Sequence, residues 1–312
     1  MGAPSIKHTS APPLHAAAPP RQSKLVRWLE PMLYLTPSLA ILSLFVFYPT
    51  IRSIHLSLFL TDPLGRPKVF VGLEHFVNAL TSGIFVKSLG ISAIYVAYTV
   101  PVGVFLGFVL ALLANQKLRG IKIFQLVFSS PLCISVATGA TIFLMMYNPI
   151  SGVLNYFLMT LGLPKISFLT DPAWALFSVG IVSIWMRLGF NFVLMVGSLQ
   201  NVPLELYEAA KVDGAGSLRQ TWHITLPMIS PTIFFALVVG VIHAFQAFAE
   251  FDIMTSGGPA QATNVVVHQI YEEAFKKFEF GAASAQALIL FAVILVLTYF
   301  QFKLGERRVH YQ

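Results

Sequence analysis

Six separate stretches of this chain are each apolar over about the thickness of a bilayer, and that pattern leaves few folds open. They fall at residues 32–50, 89–113, 124–147, 174–196, 229–251 and 282–302. A helix crossing a hydrocarbon core of about 30 Å needs about 20 such residues. A membrane barrel would instead show roughly 10-residue segments of alternating polarity, which are missing here. A water-soluble fold is excluded by composition, with 56% apolar and 11% charged residues against roughly 45–50% and 25% in soluble domains. The expected class is therefore all-α integral membrane, six transmembrane helices in one domain over residues 29–312. Pro101 and Pro131 lie within runs, where neighbouring helices can satisfy the carbonyls they free, so kinks are expected.

The first 24 residues, rich in Pro and Ala and without an aromatic side chain, cannot bury enough apolar surface to offset the entropy of ordering. A disordered cytoplasmic tail over residues 1–28 is expected. It does not read as a signal peptide, because the first apolar run starts near Met32 and is too long. Basic residues near the span ends set orientation. With the N-terminus inside, eleven face the cytoplasm (Arg21, Lys24, Arg27, Lys117, Arg119, Lys122, Lys211, Arg219, Lys303, Arg307, Arg308). Seven face outward (Arg52, Arg66, Lys68, Lys87, Lys165, Lys276, Lys277). Both termini and the stretch 197–228 are thus expected inside. The net charge of +7 is spread over these span ends, not gathered into a nucleic-acid-binding stripe. Cys133 is the single cysteine, so no intrachain disulfide forms, and it reads as a small buried hydrophobe.

Several chemistries are missing. No phosphate-cradling G-x-x-x-x-G-K-[ST] loop exists, so any ATP is expected to be bound and hydrolysed by partner subunits, with no cofactor held here. No H-E-x-x-H, paired-cysteine or G-x-S-x-G arrangement is found either. Neither a catalytic residue nor a metal site is expected.

The longest polar stretch between late spans runs from Pro203 to Pro231. Glu205, Glu208, Ala209 and Ala210 suit a short helix, Gly214 and Gly216 mark a stop and turn, and Ser217 is the expected N-cap of a second helix ending near Thr225. Such a helix, turn, helix unit protruding into the cytoplasm is suited to sit in a cleft of another subunit and transmit rigid-body motion. The ordered set Glu208-Ala209-Ala210, Asp213-Gly214-Ala215, Ile224-x-Leu226-Pro227 and Pro231 resembles the EAA loop of permease subunits in bacterial binding-protein-dependent ABC importers. Trp222 departs from the phenylalanine common there. Phe70-Val-Gly-Leu, Trp185-x-x-x-Gly189-Phe190-Asn191 and the stretch from Thr255 to Thr263 resemble segments of the sugar-permease group, of the maltose-transporter type. The ending from Gln301 to Tyr311 resembles the A-type permease of the sn-glycerol-3-phosphate importer.

That resemblance implies a multi-pass protein of the bacterial cytoplasmic membrane whose coupling loop, about residues 203–227, docks on an ATPase subunit. It further implies a second homologous permease, two ATP-binding subunits and an extracytoplasmic solute-binding protein as partners. This chain would supply half of a pathway for a carbohydrate or glycerol-3-phosphate-like solute.

Ionisable groups at bilayer depth are functional candidates by default. Arg187 and Asn191 lie one turn apart in the fourth run, while His243, Gln246 and Glu250 recur at i, i+3 and i+7 in the fifth. Arg187 reads equally as part of a structural ion pair or as a snorkelling side chain, and the fifth-run set equally as a structural hydrogen-bonded stripe. Arg187 falls about 13 residues into its run, about 20 Å along a helix, and His243 past the middle of its own, leaving a central volume between them. Gln286 is a weaker candidate. The rival function, an ion-coupled secondary transporter, would need intramembrane carboxylates, and only Glu250 and Asp252 come near.

Overall fold

The computed structural model describes residues 24–116 and 119–305. Residues 1–23 of the tail expected over 1–28, and the basic residues Arg21, Lys117, Arg307 and Arg308, lie outside them. Two units make up the chain, one ending at Arg52 and one beginning at Ser53. In the first, α1 (Lys24–Leu42) begins inside the span assigned to the tail. No glycine or proline stands between Lys24 and Glu30 to stop it. A π-helical turn (Ser43–Phe47) leads to α2 (Tyr48–Leu56). The helical run Tyr34–Leu56 is long and apolar enough to cross a membrane, with none of its side chains buried within the chain through Arg52.

The second unit opens on something the all-α expectation omits. Strands β1 (Phe59–Thr61) and β2 (Pro67–Phe70) pair antiparallel, Phe59 opposite Phe70. The turn between them is tied by Asp62, whose Oδ1 accepts from the backbone N–H groups of Leu64 (3.0 Å) and Arg66 (2.8 Å). Those bonds, led by that of Arg66, hold the Asp62 carboxyl below the usual carboxylate range. Helix α3 (Glu74–Thr81) follows, and then α4 (Gly83–Ala114), which runs through Pro101.

The third apolar run is not one span helix. Helix α5 (Ile121–Ser129) and a 3-10 turn (Ser130–Cys133) meet α6 (Val136–Met146) at 102°. Pro131 supplies no N–H to continue α5, Ser129 and Ser130 bond back to the Gln125 and Val127 carbonyls, and Ser135 caps α6 by accepting from the Thr138 N–H. Cys133, expected to be buried, stands exposed on this turn because the turn leaves the helical core. Helix α7 (Val153–Thr160) precedes α8 (Pro172–Gln200).

Beyond α8 come α9 (Leu204–Val212), α10 (Ser217–Gln220), a π-helical turn (Thr221–Thr225) and α11 (Leu226–Met228). A bend of 66° leads into α12 (Ser230–Phe245). The fifth run is also interrupted, with α13 (Ala249–Thr255) starting only after Gln246, Ala247 and Phe248 leave the helix. Helix α14 (Val266–Tyr271), a π-helical turn (Glu272–Lys276) and α15 (Phe280–Gly305) complete the described residues. Four runs thus form helices long and apolar enough to cross a membrane, and the third and fifth do so only if each bent pair is counted as one span.

Helices α4 and α8 form the axis of the second unit. Close approach is permitted where side chains are missing, as small residues permit in membrane bundles: a Cβ added to Gly107 of α4 would stand 2.6 Å from the Asn191 Cβ of α8. Tyr98 of α4 lies against Gly180 and donates to the Leu176 carbonyl at 2.7 Å. Around this axis lie two buried clusters, one with Tyr95, Val179, Val182 and Phe251, the other with Val104, Phe192, Met195 and Ile229.

Candidate functional site

Two regions hold the residues singled out from the sequence. The first is a cavity of about 510 Å³ bounded by α4, the Ser130–Cys133 turn, α6, α8, α12 and the break before α13. Arg187, Asn191, His243, Gln246 and Glu250 all line it. The i, i+3, i+7 stripe does not lie on one helix as expected, since α12 ends at Phe245, yet the break turns all three side chains to the same space. Apolar wall is supplied by Val100, Val104, Leu132, Met186 and Phe248. Glycine at 189 lets α8 meet the turn of the broken third run, for a Cβ there would come 2.8 Å from the Leu132 backbone nitrogen. The W-x-x-x-G-F-N segment therefore carries both the contact that shapes the cavity and two of its polar groups, Arg187 and Asn191.

The polar groups divide in two. Among the described residues, no hydrogen bond or ion pair from this chain engages the side chains of Arg187, Asn191, His243 or Gln246. Glu250, 5% exposed, differs, its Oε1 accepting from Tyr95 Oη and Ser183 Oγ, each at 3.3 Å. Neither Tyr95 nor Ser183 was singled out from the sequence. Ser183 was legible, since it precedes Arg187 by one turn on α8 as Asn191 follows it by one; Tyr95 meets Glu250 only through the tertiary fold. Gln286 is buried on α15 and does not line the cavity.

The second region is the unit over α9 to α11. Glu208, Ala209 and Ala210 lie on α9, and Asp213, Gly214 and Ala215 form the turn after it. Gly214 has φ of 75°, the left-handed region that glycine alone enters freely, and the Ala215 N–H closes the turn on the Ala210 carbonyl at 2.8 Å. Gly216, not Ser217, caps α10, because Ser217 already has helical geometry, and the helix continues through Ile224, Leu226 and Pro227 instead of stopping at Thr225. Tyr207 and Thr225 hydroxyls meet at 3.0 Å, and Tyr207 and Ile224 pack on the cluster around Phe192. Val212 (88%), Leu218 (74%) and Trp222 (63%) stand outward among the exposed charged side chains of Glu205, Glu208, Lys211, Asp213 and Arg219.

The stretch from Thr255 to Thr263 is a third place where sequence and structure meet. Thr263 Oγ1 contacts Thr255 Oγ1 at 2.7 Å and donates to the Gly258 carbonyl, and Asn264 bonds both His268 and Gln269 at 2.9 Å. Burial pushes the His268 imidazole pKa down, with the nearby Glu272 and Asp252 charges opposing.

Comparison with known proteins places this arrangement. The family described as binding-protein-dependent transport system inner membrane component matches residues 94–311. The sn-glycerol-3-phosphate transport system permease protein UgpA of Yersinia enterocolitica is 33% identical over 91% of this chain and 96% of its own length. Its namesake in Agrobacterium fabrum is 33% identical over 90% and 96%. Among solved structures, a bacterial ABC transporter involved in the import of the acidic polysaccharide alginate is similar, with a TM-score of 0.79 and 25% identity over 91% of this chain and 98% of that one. An ion-coupled secondary transporter is accordingly set aside. This chain belongs to the family of inner membrane components of binding-protein-dependent transport systems.

Proposed function

We propose that this protein is one permease subunit of an ABC importer for sn-glycerol-3-phosphate or a closely related polyol or sugar phosphate, and that the cavity is its half of the pathway. The observation that carries this is the set of four polar side chains, Arg187, Asn191, His243 and Gln246, that line one space and, among the described residues, are not used in the chain's own hydrogen bonding. Polar groups at that depth cost several kcal/mol unless a partner or an aqueous space meets them. A guanidinium offers a fork of donors matched to a phosphate, whereas a lysine offers a compact point charge. The names of the UgpA relatives agree with such a solute.

On this reading a second permease supplies the other half of the pathway and a solute-binding protein delivers from outside. Two ATPase subunits receive the 203–228 units, with Glu208 to Ala215 forming the docking helix and turn, and Ile224, Leu226 and Pro227 tying it to the spans. ATP binding closes the ATPase pair and drives alternating access, and this chain performs no covalent chemistry. Both termini lie in the cytoplasm.

The assembly reconstituted with its partner subunits tests the pathway. Arg187→Ala is expected to keep assembly and lose solute-stimulated ATP hydrolysis by about a hundredfold or more, the scale for removing one side of a buried charged contact, with Arg187→Lys restoring it in part. Parental transport by a stably assembled Arg187→Ala protein would remove the residue from the pathway. Orientation is tested separately in a Cys133→Ser background: a cysteine at position 216 is expected to resist an impermeant thiol reagent in intact cells, and strong labelling would reverse the topology.

A further inference from the structure

Glu250 stands apart from the rest of the cavity. It follows the break in the fifth run, is 5% exposed, and nevertheless lines the space that Arg187 lines. A buried carboxyl needs hydrogen-bond donors to compensate lost hydration, and the donors this chain provides are few. Both of its bonds fall on Oε1, and both are 3.3 Å long, well beyond the roughly 2.7–2.8 Å typical of O–H···O bonds. The single Ser183 hydroxyl proton is also within reach of the Val179 carbonyl, at 3.1 Å. Among the described residues, Oε2 accepts nothing and no Lys, Arg or His nitrogen comes within ion-pair distance of Glu250.

The side chain is nonetheless held in place. Tyr95 is fully buried, packed edge-on against Phe251 at 4.9 Å and against Tyr98 at 6.1 Å, so its hydroxyl is a fixed point. The arrangement engages one carboxyl oxygen and leaves the other an unused acceptor on a residue that lines the cavity.

We infer that Glu250 reads the hydroxyl groups of the solute, its Oε2 accepting hydrogen bonds from a polyol while Arg187 takes the anionic end. The inference rests on the proposed solute class and adds to it the group that tells a polyol phosphate from a deoxygenated analogue. A site whose acceptor is left unpaired by the wrong ligand rejects that ligand more strongly than one that merely loses a methylene. The two poles also differ in kind: a solute with an anionic group at each end meets Glu250 unfavourably.

The test compares uptake of sn-glycerol-3-phosphate with uptake of 1,2-propanediol 1-phosphate, which lacks one hydroxyl, by the reconstituted importer at saturating solute-binding protein. Parental protein is expected to favour the first by about tenfold, the order of one hydrogen bond to a charged group. Glu250→Gln, of the same shape, is expected to bring the ratio below about threefold, and Glu250→Ala to near one. Because the binding protein is the same throughout, a change in the ratio belongs to this chain. A role as a mere strut would lower both rates and leave the ratio as it was, which would overturn the inference. So would a parental protein that moves both solutes equally, whatever the variants do. A parental protein moving neither solute would instead overturn the proposed solute class.

Discussion

The unit over residues 203–228 and the cavity are opposites in chemistry. Over residues 203–228, apolar side chains such as Val212, Leu218 and Trp222 stand outward on a polar, inter-span segment, while backbone and hydroxyl groups bond to one another. In the cavity the polar groups of Arg187, Asn191, His243 and Gln246 stand unused between apolar spans. Each region is unsatisfied in its own surroundings, and in opposite senses. Outward apolar side chains are completed by a protein groove, an inward polar set by a hydrated or hydroxylated solute. On the proposed function the two are joined mechanically, and the link between them is short: Tyr207 and Ile224 of the unit pack on the cluster that holds Phe192, the residue after Asn191.

That comparison is open to being broken at either end. An effect on the scale of Arg187→Ala is expected from Gly107→Leu, which forces a side chain into space the Asn191 Cβ and backbone occupy. Overpacking of this kind costs about 3 kcal/mol. It should spoil the cavity wall and reduce solute uptake by roughly a hundredfold, while the ATPase subunit still copurifies at the parental level. Loss of the ATPase in the same proportion would show that the regions are not separable.

A smaller effect is expected from Gly214→Val. No atom lies within 4 Å of where the new Cβ would start, so the cost is backbone strain alone, about 1–2 kcal/mol for a left-handed residue bearing a side chain. The chain should insert normally and bind its ATPase partner about tenfold more weakly, as read by copurification at limiting partner. Unchanged association would mean that this turn is not part of the docking surface.

What the sequence makes legible follows the range of the interactions involved. The 203–228 unit is specified by residues within one short stretch, and the left-handed glycine at 214 is where its spacing demands one. The hairpin is also local, and the Asp62-Pro63-Leu64-Gly65 turn between two short β-prone runs carries its signal; the length of the neighbouring apolar runs hides it. Ser129-Ser130-Pro131 followed by Ser135 marks the break in the third run, yet a proline inside a span reads as a kink until the 102° bend is seen. The break at Gln246 has no sequence signal, since none of residues 246–248 opposes a helix by itself. Its partners are distant, Tyr95 lying 155 residues and Ser183 lying 67 residues before Glu250, and pairing over such separations is set by packing.

The most direct measurement is ATP hydrolysis by the reconstituted importer, with and without solute-loaded binding protein, for the parent, Arg187→Ala and Gly214→Val at limiting ATPase subunit. Stimulation by solute is expected in the parent. Arg187→Ala should keep the unstimulated rate and lose the response, whereas Gly214→Val should lower both rates and recover both when ATPase subunit is added in excess. Two variants failing in the same manner, with responses and unstimulated rates falling together and neither restored by excess ATPase, would contradict the division of this chain into a solute-facing cavity and an ATPase-facing unit.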